Sequence, residues 1–369
     1  MKAVVLRAGV VEAISAAGRA VGGDSLPTLK HILIEAQNNK LVFKGTNLEI
    51  AIQHTISAKV LEGGKVTVPA RAFAEILSTL RSERINLEKK GDNLTLTSDN
   101  YRATFQGLPA EDFPLIPKIK NDQAYIECKA GALRDALGAV LIATEFSDLR
   151  PELNSVLFHF SPERIVLAAT DSFRLAEQQI PPSQFSATGA NEFRALIPLK
   201  TSQELLRLLG EQETAKVYAD ENQILIAAGA SECISRLVDG VFPEYSAIIP
   251  TSFKSELVVG REELLEAIKL ASVFNDRNSE VRFAYSRDRK TLEVSAAAQG
   301  VGENVYVLPA TIRGEDGDVL FNGRYINDML RVARGGEIFL GLNDEVAPAL
   351  LRSQGDASYY YIVKPILKT

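Results

Sequence analysis

Three sets of sequence marks return at nearly one spacing, and this repetition limits the folds open to the chain more than any other feature. The turn pair Thr46-Asn47 is matched by Thr170-Asp171, 124 residues later. The stretch KVTVPARAFAEIL, with Pro69 ahead of a helical pattern, is matched by RALIPLKTSQELL with Pro198, 129 residues on, and by DVLFNGRYINDML around Asn322, a further 124. The signature GLPAEDFPLIP, with Phe113-Pro114, returns 129 residues later as RLVDGVFPEYSAIIP with Phe242-Pro243. One third of the 369 residues is 123, so three tandem copies fill the chain almost without remainder, and each is long enough to bury its own core. The copies are expected at 1–122, 123–252 and 253–369, with linkers at 114–123 and 250–255.

Each copy carries two helical patterns. The openers are expected over about 7–22, 131–144 and 260–276, and the second helices over about 70–84, 199–210 and 323–335. Phe73, Ile76, Leu77 and Leu80, like Leu264, Ile268 and Ala271, recur at helical spacing and give each helix one apolar face. Pro69 and Pro198 suit helix starts, where no backbone donor is lost, and Glu262 and Glu263 complement the dipole of a first turn. Between the helices run short stretches such as ILIEAQ, NLTLTS, SVLFHF, RIVLAA, TLEVSAA and EIFLGL, which alternate and end in turn residues. That pattern predicts antiparallel sheet with one covered face. The expected fold class is α+β: three tandem similar domains, each with two helices packed on antiparallel sheet.

The residues that carry catalysis are scarce. His31, His54 and His159 fall singly on strand-like segments and read as sheet residues. Cys128 and Cys233 are too few for a disulfide framework and read as buried thiols. The sequence has no HExxH, no G-x-S-x-G and no G-x-x-x-x-G-K-[ST]. Gly300-Val301-Gly302 lacks the third glycine of a dinucleotide fingerprint and reads as a loop between strands, and Glu111-Asp112 reads as a solvated turn. No metal or other cofactor is expected. No apolar run reaches the roughly 20 residues that span a bilayer, and Arg7 and Glu12 interrupt the start where a signal peptide is apolar. A cytoplasmic, non-enzymatic protein is the expectation.

Charge is distributed unevenly. The net charge is −6, yet the six helical windows hold 13 Lys or Arg against 10 Asp or Glu, which leaves −9 for sheets and loops. A chain of this kind can present a mildly basic helical surface and an acidic sheet surface.

The pieces TNLEIAI, TVPARAF, GLPAEDFP, ATDSFRLA, SRLVDGVFPEY and YIVKPI, in this order and set in a threefold repeat, resemble the bacterial DNA polymerase III beta subunit family of replicative sliding clamps. The resemblance covers the whole chain. It implies a head-to-tail homodimer in which three domains per subunit form half of a six-domain ring, with helices lining the hole. Duplex DNA passes through that hole without regard to sequence. Carried over to this chain, the lumen cations are Arg19, Arg71, Arg81, Arg134, Lys200, Arg207, Lys269, Arg324 and Arg331.

The resemblance also implies an apolar peptide pocket between domains 2 and 3. Its residues here are Leu153, Thr170, Ser172, Phe173, Arg174, Leu175, Pro243, Ile248, Asn322, Tyr325, Val346, Pro348, Ile362, Val363, Lys364, Pro365 and Ile366. The implied partners there are the replicative polymerase alpha subunit, the clamp loader delta subunit and other proteins bearing a clamp-binding motif. The implied dimer joint uses Ala103 and Phe105 from domain 1 and Ser272, Val273 and Phe274 from domain 3. Five positions depart from the family pattern: Lys364 replaces an apolar residue, Asn278 a rim aromatic, Asp24 a loop cation, and Pro151-Glu152 aromatics used toward DNA. A monomeric peptide-binding adaptor on the same scaffold is the alternative, and an enzyme on a repeated scaffold would need convergent titratable groups that the histidine and cysteine inventory does not supply.

Overall fold

The computed structural model describes residues 1–23, 25–145, 150–274 and 279–367. Asp24 and Asn278, singled out above, and Asn275 and Asp276 at the end of the fifth helical window lie outside the described residues.

Each repeat supplies two helices, as the periodicity predicts: α1 (Arg7–Ala17) and α2 (Ala70–Thr79), α3 (Ala130–Leu141) and α4 (Leu199–Leu209), α5 (Arg261–Ala271) and α6 (Gly323–Val332). Several ends fall short of the windows. α2 stops where Leu80 turns extended, its N–H held by the Ile76 carbonyl, because the alternating RINLEKK run is claimed by the strand Arg84–Lys90. Arg81 therefore lies in a loop and Arg84 on a strand, and Arg334 lies past the end of α6. Over the helices as they form, nine Lys or Arg face eight Asp or Glu. The expected helical excess of +3 shrinks to +1.

All strand pairings are antiparallel, and the chain divides into two compact units. The first comprises Met1–Gly131, Phe185–Ala190 and Gln203–Leu237. It holds a five-stranded sheet that ends at the edge strand Arg102–Phe105, and a nine-stranded sheet that crosses from the first repeat into the second. The seam joins Ile50–Ser57 to Ser231–Arg236, with Ala51 opposite Ile234 and Ile52 opposite Cys233. α1 and α2 bury Val10, Ala13, Ile14, Phe73 and Leu77 in a core with Ile32, Ile34 and Phe43. A ring such as Phe73, fully buried, contributes roughly 1.5–3 kcal/mol by its removal from water. Gly45 is required by close approach: a Cβ there would stand 2.1 Å from the Ala17 carbonyl oxygen at the end of α1.

The second unit comprises Ala132–Gln184, Asn191–Ser202 and Val238–Thr369 and holds a twelve-stranded sheet. Its seam joins Arg174–Ile180 of the second repeat to Tyr359–Val363 of the third, with Leu175 opposite Ile362. The long strand Gly302–Gly314 pairs with Thr291–Ala298 along its first part and with Ser255–Gly260 along its last, so residues 302–309 have a ladder partner on one side.

The three histidines lie on strands. His54 is buried at the first seam, its Nδ1 2.7 Å from Ser231 Oγ, and burial lowers its pKa. Both cysteines are free and buried, and burial pushes their thiols up to about 12. They are therefore protonated packing residues. Gly300 and Val301 form the expected turn between strands. Among the described residues, no group of three or more His, Cys, Asp or Glu is placed to hold a metal, and no helix is long and apolar enough to cross a membrane.

Candidate docking sites

The first site is built on the turn after the strand Arg164–Thr170. Thr170 Oγ1 donates to the Arg174 carbonyl at 2.7 Å and accepts the Ser172 N–H at 3.2 Å, while Asp171 Oδ1 accepts the N–H groups of Phe173 and Arg174 at 2.9 and 2.8 Å. Ser172 is driven to φ 78°, a left-handed conformation held here by four local hydrogen bonds. Thr46, Asn47 and Leu48 repeat the arrangement in the first unit: Asn47 Oδ1 accepts from Glu49 and Ile50, and Leu48 has φ 78°.

The turn sends its two following side chains apart. Phe173 is 58% exposed. Arg174 folds inward, its Nε 2.8 Å from Asp171 Oδ2, its Nη1 2.8 Å from Asp328 Oδ2 on α6, and its guanidinium 4.2 Å from the Tyr325 ring centroid. Burial alone would lower the Arg174 pKa, but Tyr361, Asp328 and Asp171 outweigh it and raise the value, so the charge is permanent. Behind it Leu175, Ile362, Leu350 and Phe339 form an apolar floor, against which Tyr245, Ile249 and Phe253 pack. The last residues extend the frame: Lys364 N–H donates to the Phe173 carbonyl at 2.9 Å and Ile366 N–H to the Leu320 carbonyl at 2.8 Å.

The residues expected at a peptide pocket thus separate by burial. Leu153, Thr170, Leu175, Ile362 and Val363 are buried, and Arg174, Pro243, Asn322, Tyr325, Pro348, Pro365 and Ile366 are half-buried. Ser172, Phe173, Ile248, Val346 and Lys364 are exposed. Arg174 belongs more to the frame than to its rim. Asn322 has a local task, capping α6 by accepting the Arg324 N–H at 3.0 Å. Val346 and Pro348 sit on a turn tied by Asp344 Oδ1, which accepts from the Val346 and Ala347 N–H groups. Sequence reasoning missed Asp171, Asp328, Tyr245 and Phe339. Asp171 had a signal, since an Asp three residues before an Arg at a turn can hold both its N–H and its guanidinium.

The residues expected at a joint between copies lie at sheet edges, one set in each unit. Ala103 is half-buried on the edge strand Arg102–Phe105, and Phe105 is 6% exposed with its ring edge-on to Phe73 at 5.0 Å, so it is core to its own unit. In the other unit the short turn Ser272–Phe274 exposes Val273 and lays Phe274 beside Gly302, where a Cβ would meet its ring at 3.5 Å. Val301, in the turn before the half-paired strand Gly302–Gly314, and Val305 and Val307, on that strand, are exposed. These three valines were missed, and three valines within seven residues that also include Gly302, Glu303 and Asn304 was their signal.

The helix cations differ in how free they are. Arg19 pairs with Glu204, Arg71 with Glu75, Arg134 with Asp135 and Arg207 also with Glu204. Lys269, Arg324 and Arg331 instead line a cavity of about 360 Å³ between α5 and α6 with Ile268, Ser272, Ser279, Gly323 and Asn327. Among the described residues, no carboxylate lines it and none of the three cations has an ion pair. Lys200 is exposed on α4. Glu152 is engaged by Arg150 at 3.1 Å.

Residues 1–117 match the N-terminal domain of the DNA polymerase III beta subunit, 127–244 the central domain and 246–367 the C-terminal domain. The chain belongs to the DNA polymerase III beta subunit family. Among curated members of that family, the beta sliding clamp of Synechococcus elongatus is 29% identical over 347 residues, 92% of each chain. That of Bacillus subtilis is 27% identical over 380 residues, 99% of each. The crystal structure of the DNA polymerase sliding clamp from Bacillus subtilis superposes with a TM-score of 0.95 at 26% identity and covers 100% of both chains. The beta subunit fold accounts for the threefold repeat, and the six helices and antiparallel sheets are those of three tandem clamp domains.

Proposed function

We propose that this chain is the sliding clamp of a replicative DNA polymerase: a non-catalytic subunit that closes head to tail with a second copy, encircles duplex DNA and holds the polymerase on it. The observation that carries the reading is the succession of three beta subunit domains over residues 1–117, 127–244 and 246–367, in a chain matched over its full length by a sliding clamp fold. The exposed side chains of Val273, Val301, Val305 and Val307 in the third repeat offer apolar surface of the kind a joint between copies needs. The frame around Arg174, with Phe173 and Ile248 exposed above an apolar floor, suits the docking of short peptides from the polymerase alpha subunit and the clamp loader delta subunit. Loading a closed ring requires a separate ATPase.

DNA contact is expected to be weighted toward the third repeat. A cation already paired with a carboxylate gives little further to a phosphate, so Lys269, Arg324 and Arg331 carry more of the attraction than Arg19, Arg71, Arg134 or Arg207. Replacing all three by Ala is expected to reduce the salt slope of duplex binding by about three, about one per lost phosphate contact. The check is titration of a short duplex at several salt concentrations. An unchanged slope would place the contacts elsewhere.

A further inference from the structure

The internal repeat predicts a counterpart to the Arg174 site, and the first unit contains one. In the seam of that unit the row Ala51, Ile234, Leu225 crosses three neighbouring strands. In the seam of the other unit the row Leu175, Ile362, Leu350 does the same. The segments laid over them also correspond, since Phe113-Pro114 and Phe242-Pro243 open each. The rows differ in one way that matters. Ala51 stands where the other unit has Leu175, and a cavity of about 340 Å³ opens above it, lined also by Ile116, Pro117 and Ile119.

The rim of this cavity has an uneven set of charges. Its carboxylates are engaged, Glu232 by Gln53 and Asp122 by Gln123 at 3.0 Å, and Lys44 is held by Glu35 at 2.6 Å. Lys118 lines the cavity, Lys120 follows it, and both are exposed without an ion pair among the described residues. Leu115, beside Ile116, is 97% exposed. Among the described residues, the backbone groups of 115–119 make no hydrogen bond except at the Lys118 carbonyl, which accepts from Gln223 Nε2 at 2.9 Å. An irregular segment with free donors and acceptors, an apolar cavity beneath it and unpaired cations along it fits an extended chain better than a small molecule.

We propose that this cavity is a second peptide-docking site, which takes a bulky apolar side chain from an extended peptide whose flanking carboxylates meet Lys118 and Lys120. The peptide backbone pairs with the free groups of 115–119, and the apolar side chain fills the space that Leu175 fills in the other unit. The site does not require the ring.

Hydrogen exchange of the full-length protein tests it, with an acetylated and amidated octapeptide probe carrying a central leucine-phenylalanine pair between glutamates. The expected result is protection within 115–119 and 223–236. Ala51→Leu, which fills the cavity, should abolish that protection, and Lys118→Glu on the exposed segment should weaken probe binding there at least five-fold. Protection confined to 243–249 and 359–366 would overturn this proposal while supporting the site around Arg174. Protection of the first unit that survives both variants would overturn it as well. Should Ala51→Leu fail to fold, Lys118→Glu decides: undiminished binding at 115–119 rejects the site.

Discussion

Arg174→Ala is expected to lower folding stability by about 3–5 kcal/mol, the range for breaking a buried ion pair by removing one partner. The Asp171 side chain is only 2% exposed, and its Oδ2 would lose the guanidinium while Oδ1 stayed committed to two backbone N–H groups. Asp328 and the face of Tyr325 would lose the same partner. Denaturant unfolding followed by circular dichroism measures the loss. Arg174→Lys should recover part of it, since an ammonium reaches one carboxylate but cannot bridge Asp171 and Asp328 through two nitrogens. A loss below about 1 kcal/mol, the usual worth of an exposed pair, would show that Arg174 serves as a rim group open to ligands. Phe173→Ala, at an exposed position, is therefore the cleaner probe of peptide docking.

The second large effect concerns assembly. Val273→Asp combined with Val305→Asp is expected to turn the proposed homodimer into a monomer of 40.2 kDa. Both side chains are more than half exposed, at 67% and 59%, so neither replacement disturbs the fold of the unit that carries it. In a joint each aspartate would have to be stripped of water without a partner, at several kcal/mol per ion. Because about 1.4 kcal/mol is a tenfold change, dissociation should become more than a hundredfold easier. Sedimentation equilibrium across micromolar concentrations gives the answer. A variant that stays dimeric would place the joint on another surface.

Much of this architecture is readable from local sequence because it is locally determined. The Thr-Asn and Thr-Asp turns are set by side chains that bond to backbone within four residues, and the six helices by apolar spacing and start signals. Legibility fails where partners come from far along the chain. Leu80 and the polar residues after it suit a longer α2, and only pairing between Lys2–Leu6 and Arg84–Lys90 explains why the helix ends early. The cations on the helices look equivalent in sequence, yet Glu204 of the second repeat engages Arg19 of the first, while among the described residues no acid pairs with Lys269, Arg324 or Arg331. Phe105 reads as an edge residue until its packing on Phe73 is seen. The joining of repeats into shared sheets, which places Leu175 against Ile362 and Ala51 against Ile234, is a pairing between strands more than 180 residues apart.

The most direct test of the clamp itself is retention on a nicked circular duplex, loaded with a matched clamp loader and ATP, before and after the circle is cut. The protein is expected to stay on closed circles through a high-salt wash and to be shed from the cut ends, because a ring is held by topology. Equal loss from both forms as salt rises would mean that electrostatic attraction alone holds it, and would contradict the ring.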